Sequence, residues 1–87
     1  MEFDWDDEKS DKNLAERGFG FDFAAAIFAG RTLSRPDNRK DYGEDRFVAI
    51  GEWDDVVLAV VYTDRDGLRR IISARTASRK ERKLWRA

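Results

Sequence analysis

Along the first third of the chain, short apolar clusters alternate with acidic runs, whereas the second half carries longer apolar stretches cut by polar pairs. EFDW, Glu2 to Trp5, has the length and alternation of a short strand. Beyond it, Asp6 or Asp7 caps a helix running to about Arg17. Acids crowd its first turn, where the helix dipole favours negative charge, and Gly18 stands where it must end. Asp22 is placed to cap a second helix over FAAAIF, closed by Gly30, with Phe23 and Ile27 on an apolar face at helical spacing. RTLS, after Gly30, reads as a short strand.

SRPDNRKDYGED holds the single proline, Pro36, and reads as one polar loop. After it the period changes. RFVAIGEW, Arg46 to Trp53, and VVLAVVYT, Val56 to Thr63, are expected as strands joined by Asp54 and Asp55; the second is apolar on both faces, as a central strand is. DRDG, Asp64 to Gly67, turns the chain into LRRIISAR, and links this short favour an antiparallel meander. The last element is a helix in which Ser78 and Glu81 are spaced as a capping box, although Thr76 offers an earlier start. Ala77, Glu81, Leu84 and Trp85 share one face, so Leu84 and Trp85 are expected to dock on the domain or on a partner. Arg79, Lys80, Arg82, Lys83 and Arg86 are left outward. Helices, an antiparallel sheet and a basic helix make an α+β domain, and residues 1–87 suit a single one.

Composition narrows the chemistry. Three Trp, six Phe and two Tyr supply core volume to a chain that is 40% charged. With no Cys and no His, the thiolate sites, the commonest metal ligand and the commonest general acid or base are all missing. Catalysis would have to run on carboxylates, Arg, Lys, Tyr or hydroxyls, and no metal or cofactor is expected. MEFDWDDEK lacks the basic and apolar regions of a signal peptide, and the run Val56 to Tyr62 is far shorter than the about 20 residues that span a bilayer. A soluble cytoplasmic protein is the expectation.

The formal charge of -1 conceals an asymmetry. Residues 1 to 30 sum to -5 and residues 65 to 87 to +7. Such a split points to a localised anion-binding surface, although mutual neutralisation of the two ends within the fold explains it equally well.

Several of these residues, in this order, resemble the BrnT toxins of type II toxin-antitoxin systems: WDDEK, Asn13, Gly18 closing the first helix, Phe21 to Phe28 in an FxxAxxxF-like arrangement, Glu44 and Arg46 followed by Gly51, RIISAR, and Glu81 with Arg82. The likeness spans nearly the whole chain, and RIISAR followed by a basic helix is its most specific part. It implies a RelE-like α+β fold, ribonuclease activity that arrests growth, and neutralisation by a BrnA-type antitoxin carrying a ribbon-helix-helix part. Operator DNA would be reached only through that antitoxin. One departure stands out: where relatives usually read Lys-His-Gly, this chain has Glu16, Arg17 and Gly18. Arg17 keeps a positive charge but is a poor proton shuttle near neutrality. A catalytically weakened relative, kept as a binding module for the antitoxin complex, is the competing expectation.

Metal-free RNA cleavage needs the ribose 2′-OH to lose a proton and attack phosphorus through a transition state with extra charge on the phosphoryl oxygens. Guanidinium groups, planar and permanently charged, answer that need. The candidate catalytic residues are Arg17, Arg46, Arg70 and Arg75, with Glu44 as a possible base. Glu44 could equally be half of a surface ion pair with Arg46 or Lys40, Arg46 and Arg70 part of a solvated sheet face, and Arg75 a cap for a carbonyl. In an ideal strand Arg70 and Arg75 face opposite ways, so they share a site only if the strand bulges or ends between them. Ser73 has no His to activate it as a nucleophile. Lys9 and Asn13, four apart, could touch a phosphate or merely form an exposed helical face. Arg79, Lys80, Arg82 and Lys83 are the candidate RNA-backbone contacts, or else the surface that an acidic antitoxin covers, or a solvated helix face.

Overall fold

The computed structural model describes all 87 residues. In chain order the elements are β1 (Glu2–Trp5), α1 (Asp7–Arg17), α2 (Phe21–Ala25) continuing as a 3-10 turn (Ala26–Ala29), β2 (Thr32–Pro36), β3 (Phe47–Trp53), β4 (Val56–Arg65), β5 (Leu68–Thr76) and α3 (Arg79–Arg86). The strands form one sheet in the order β1-β5-β4-β3-β2. Every pairing is antiparallel except that of β1, which lies parallel to β5 with Asp4 beside Arg70. N-terminal helices, a mostly antiparallel sheet and a C-terminal helix make the α+β arrangement expected from the sequence.

Local signals account for most element ends. Asp6 caps α1, its carboxylate accepting from the N–H groups of Glu8 and Lys9 at 2.9 and 3.2 Å. Gly18 closes it in the left-handed region at φ 85°. Both β-hairpins turn through two residues with positive φ, Asp54 and Asp55 in one and Asp66 and Gly67 in the other, a backbone sense that matches strand twist. The start of α2 differs from expectation. Its N-cap is Gly20, which has no side chain to offer, and Ser10 of α1 accepts the Phe21 N–H at 2.9 Å instead. Asp22 sits inside the first turn and accepts from the Phe23 N–H. The polar loop is also shorter than its composition suggests: Ser34 to Pro36 belong to edge strand β2, where a proline is tolerated.

The sheet has a closed face and an open one. Phe19, Phe21, Ala24, Ala25 and Ile27 pack on Ala49, Leu58, Val60, Tyr62, Ile71 and Ala74 to form the main core. Burying its large side chains, Phe19, Phe21, Ile27, Leu58, Val60 and Ile71, stabilises the fold by roughly 1.5–3 kcal/mol each, so this layer dominates folding. Gly51 is part of the fit, because a Cβ there would stand 2.8 Å from that of Ile27. On the opposite face α3 covers one end, with Trp85 and Ala77 packed on Ile50 and Val57. Trp85 also donates to Glu52 at 2.8 Å and lies under the Arg31 guanidinium at 4.0 Å. Leu84, expected to dock beside it, is 54% exposed. The rest of this face is an apolar floor of Val48, Ala59 and Val61, with Ile72 against it.

A bulge sets what stands on that floor. Tyr62 pairs with Ile71 and Val61 with Ser73, which leaves Ile72 as an extra residue in β5. Ile71 and Ala74 therefore both reach the main core, and Arg70 and Arg75, opposed by ideal alternation, come to the same open face.

Candidate functional site

Arg75 is the best-held cation on the open face. It follows Ala74 at the end of β5, beside Ala59, and its guanidinium forks onto the Glu81 carboxylate at 2.6 and 3.0 Å. Glu81 is only 7% exposed, and the same carboxylate accepts the Ser78 N–H at 2.8 Å while Ser78 Oγ accepts from the Glu81 N–H. The capping box of α3 and the brace on Arg75 thus share one carboxylate. The guanidinium beside it draws the Glu81 carboxyl down to about 2, and the carboxylate in turn raises Arg75.

Arg75 does not stand alone. A cavity of about 210 Å³ is lined by Arg35, Arg39, Ser73 and Arg75 over Val48 and Val61. Arg35 reaches it because β2 pairs with β3 so that Arg35 lies beside Val48; its guanidinium approaches Glu81 at 3.8 Å. Arg39 is held by both oxygens of the buried Asp37 at 2.8 Å, and this guanidinium lowers the Asp37 carboxyl. Because Asp37 and Glu81 engage the forks of Arg39 and Arg75, the three guanidinium groups offer a phosphodiester above the apolar floor their charge and remaining N–H groups rather than open forks.

The other candidates occupy neighbouring ground. Arg17 approaches β5 from its far edge, donating to the Ala74 carbonyl at 2.9 Å and to Asn13 Oδ1 at 3.0 Å. It lines a second cavity, of about 300 Å³, with Lys9, Asn13, Ile72 and Ser73, so that Ser73 borders the cavities of both Arg17 and Arg75. Asn13 itself is buried, its amide donating to the Phe19 carbonyl at 2.8 Å, and so ties α1 to the following turn. Arg46 stacks on Tyr42 at 4.0 Å and pairs with Glu44, which also receives Arg65. These two cations hold the Glu44 carboxyl below its ordinary range, Arg46 foremost. Arg70 pairs with Asp4 and shares a pocket with Arg65, away from Arg75. The structure thus joins Arg17 and Arg75 across Ser73, sets Glu44 with Arg46, and leaves Arg70 at the β1 edge.

On α3, none of Arg79, Lys80, Arg82, Lys83 and Arg86 has a carboxylate within ion-pairing distance. No set of three carboxylates converges as a metal site. Reading the sequence alone misses Arg35 and Arg39, whose only signals are the two-residue spacing of Arg35 from Leu33 and the Asp-x-Arg of Asp37 and Arg39.

The structure is thus a small α+β domain with guanidinium groups gathered on the open face of its sheet. A family model describing the ribonuclease toxin BrnT of type II toxin-antitoxin systems matches residues 5–81, and the chain belongs to that family. A toxin of this kind has a cognate antitoxin as its partner. No curated protein matches the chain. No helix is long and apolar enough to cross a membrane.

Proposed function

We propose that the chain is an active endoribonuclease that works in the cytoplasm without a metal and arrests growth until a BrnA-type ribbon-helix-helix antitoxin covers it, operator DNA being bound through that antitoxin. The observation that carries this reading is Arg75, braced by Glu81 and flanked by Arg35 and Arg39 over the Val48 and Val61 floor. Arg17 supplies a further cation on the far side of Ser73. Arg46 and Arg70 extend the positive surface along the substrate path. In the reaction the 2′-oxygen loses its proton to solvent and bonds to phosphorus; the bond to the 5′-oxygen breaks, and that oxygen leaves with a proton from water. The products are a 2′,3′-cyclic phosphate and a 5′-hydroxyl. The arginines stabilise the charge that grows on the phosphoryl oxygens. Glu44 and Glu81, both held low by arginines, act in this reading as braces for those cations, since a carboxylate of low pKa accepts a proton poorly near neutrality.

Incubation of the protein with RNA, with and without EDTA, tests the proposal: cleavage with cyclic-phosphate ends that survives EDTA supports it, and intact RNA sinks it. Substrate with a 2′-deoxy residue at the scissile position is expected to resist. With no side chain titrating near neutrality at the site, log rate should rise steadily between pH 5 and 8, and a bell-shaped profile would contradict the mechanism. The absence of any His or Cys also favours a second reading, a weakened toxin retained as a binding module. Expression without antitoxin separates the two, because a pure binding module leaves growth unaffected.

A further inference from the structure

The cations of α3 are not spread evenly round the helix. Arg79, Arg82, Lys83 and Arg86 follow one another at steps of three, one and three, which places them along a single stripe, and together with Ala87 they line one shallow groove. Lys80 falls outside it. The opposite side of the helix is occupied by Glu81 and Trp85, both buried. The only acid of α3, Glu81, is engaged with Arg75, so nothing within the helix neutralises the stripe.

We infer that this stripe is a track for the phosphate backbone of the RNA flanking the scissile bond, lying outside the cleavage site. The inference rests on the ribonuclease reading above, and two observations direct it. The first is composition: a protein partner is anchored by apolar or aromatic side chains buried at the centre of the contact. The groove offers none larger than Ala87, whereas a polyanion needs only charge, and three of its four cations are the fork-shaped arginine that fits phosphate. The second is continuity with the site. Arg82 folds back to donate to the Ala77 carbonyl at 2.8 Å, which brings one end of the stripe beside the strand end that carries Arg75. From Arg79 to Arg86 the helix rises about 10 Å, the length of about three phosphates in a stacked strand. The substrate class that follows is single-stranded RNA extending several nucleotides to one side of the cut, held without regard to base identity.

The test measures binding, so that it stands whether or not cleavage is seen. RNA oligonucleotides of 4 and 12 nucleotides with 2′-O-methyl groups at every residue serve as uncleavable probes, and fluorescence anisotropy is followed as salt is raised. For the wild type, the longer probe is expected to bind at least about tenfold tighter, with a steep dependence of log affinity on log salt. In the triple variant Arg82→Gln, Lys83→Gln, Arg86→Gln, the slope should flatten by about two, three contacts at about 0.7 each, and the advantage of length should largely disappear. An unchanged slope in the triple variant overturns the inference. So does equally tight binding of a poly-glutamate peptide with the same variant dependence, which would assign the stripe to an acidic protein instead. Circular dichroism of the variant keeps a loss of α3 from being mistaken for a loss of contact.

Discussion

The two faces of the sheet use the same residue for opposite purposes. Arg69 and Arg70 are adjacent in β5, yet Arg69 lies on the closed face between the rings of Phe28 and Tyr62, at 4.7 and 4.2 Å, with Asp64 forked onto it at 2.8 and 2.9 Å. Arg70 stands on the open face with a single contact to Asp4. Side-chain exposure follows, 17% against 38%. A guanidinium packed between rings and matched by a carboxylate on the same face is part of the fold. One on the open face with a single carboxylate contact keeps part of its fork free for a ligand. The lesson is that charge content alone does not locate an anion site; the face on which each cation emerges does.

The sharpest way to break this comparison is Arg75→Lys. The change keeps a positive charge beside the buried Glu81 but loses the two-pronged bond that fixes it there, so stability should fall by about 1 kcal/mol while RNA cleavage falls about 10²- to 10³-fold, the usual consequence of displacing one preorganised donor near a charged transition state. A variant that cleaves at the wild-type rate would remove Arg75 from the chemistry. Next comes the adjacent pair. Arg69→Ala strips a cation from two aromatic rings and breaks its pair with the half-exposed Asp64, and thermal or urea unfolding should register a loss of about 1–2 kcal/mol. Arg70→Ala, which breaks a more exposed pair, should lose less than about 1 kcal/mol. Equal losses in the two variants would erase the distinction between the faces.

A third prediction concerns acid. The Glu81 carboxyl, ordinarily near 4.5, sits at about 2 in the folded chain because of Arg75 and the Ser78 N–H. A carboxyl lowered by folding contributes stability that is fully present above its unfolded value and disappears as the pH falls through the folded one. Glu81 should thus add about 2–3 kcal/mol at neutral pH, lost progressively between about pH 5 and 2. Glu81→Gln should be less stable than the wild type at pH 7, and the two unfolding curves should converge near pH 2. A constant gap across that range would show that the pair contributes no acid sensitivity.

Much of this was open to reading in the sequence, and the gaps have physical causes. The α1 cap, the Ser78 and Glu81 box and the three long strands each depend on residues close together in the chain, where spacing determines geometry. The bulge at Ile72 does not, since nothing in RIISAR distinguishes an even strand from one with an extra residue until Val61 and Tyr62 pair with it. The helix cap at Phe21 comes from Ser10, and the local candidate, Asp22, was misleading for that reason. Arg35 lay hidden in a stretch whose polarity suggested loop throughout, because edge strand β2 has only one neighbour and needs little apolar content, while Arg39 lies in the loop itself and is fixed only by its fork onto Asp37. Within the candidate site, Arg75 was legible from its motif, whereas its companions are brought to it by pairings between distant strands.

The smallest of the expected effects tests how tightly fold and site are joined. Ser78→Ala removes the hydroxyl that accepts from the Glu81 N–H at 3.1 Å, and an N-cap of this kind contributes about 1 kcal/mol. Were α3 merely attached to the sheet, the loss would end there. The other half of the box, however, runs from the Ser78 N–H to the oxygen of Glu81 that also receives Arg75, so a loosened first turn lets the brace drift from the guanidinium it holds. Cleavage should therefore fall severalfold alongside the modest fall in stability, and Ser78→Thr, which retains the hydroxyl, should restore both. A Ser78→Ala protein that loses stability but cleaves at the wild-type rate would separate α3 from the chemistry and leave Arg75 positioned by β5 alone.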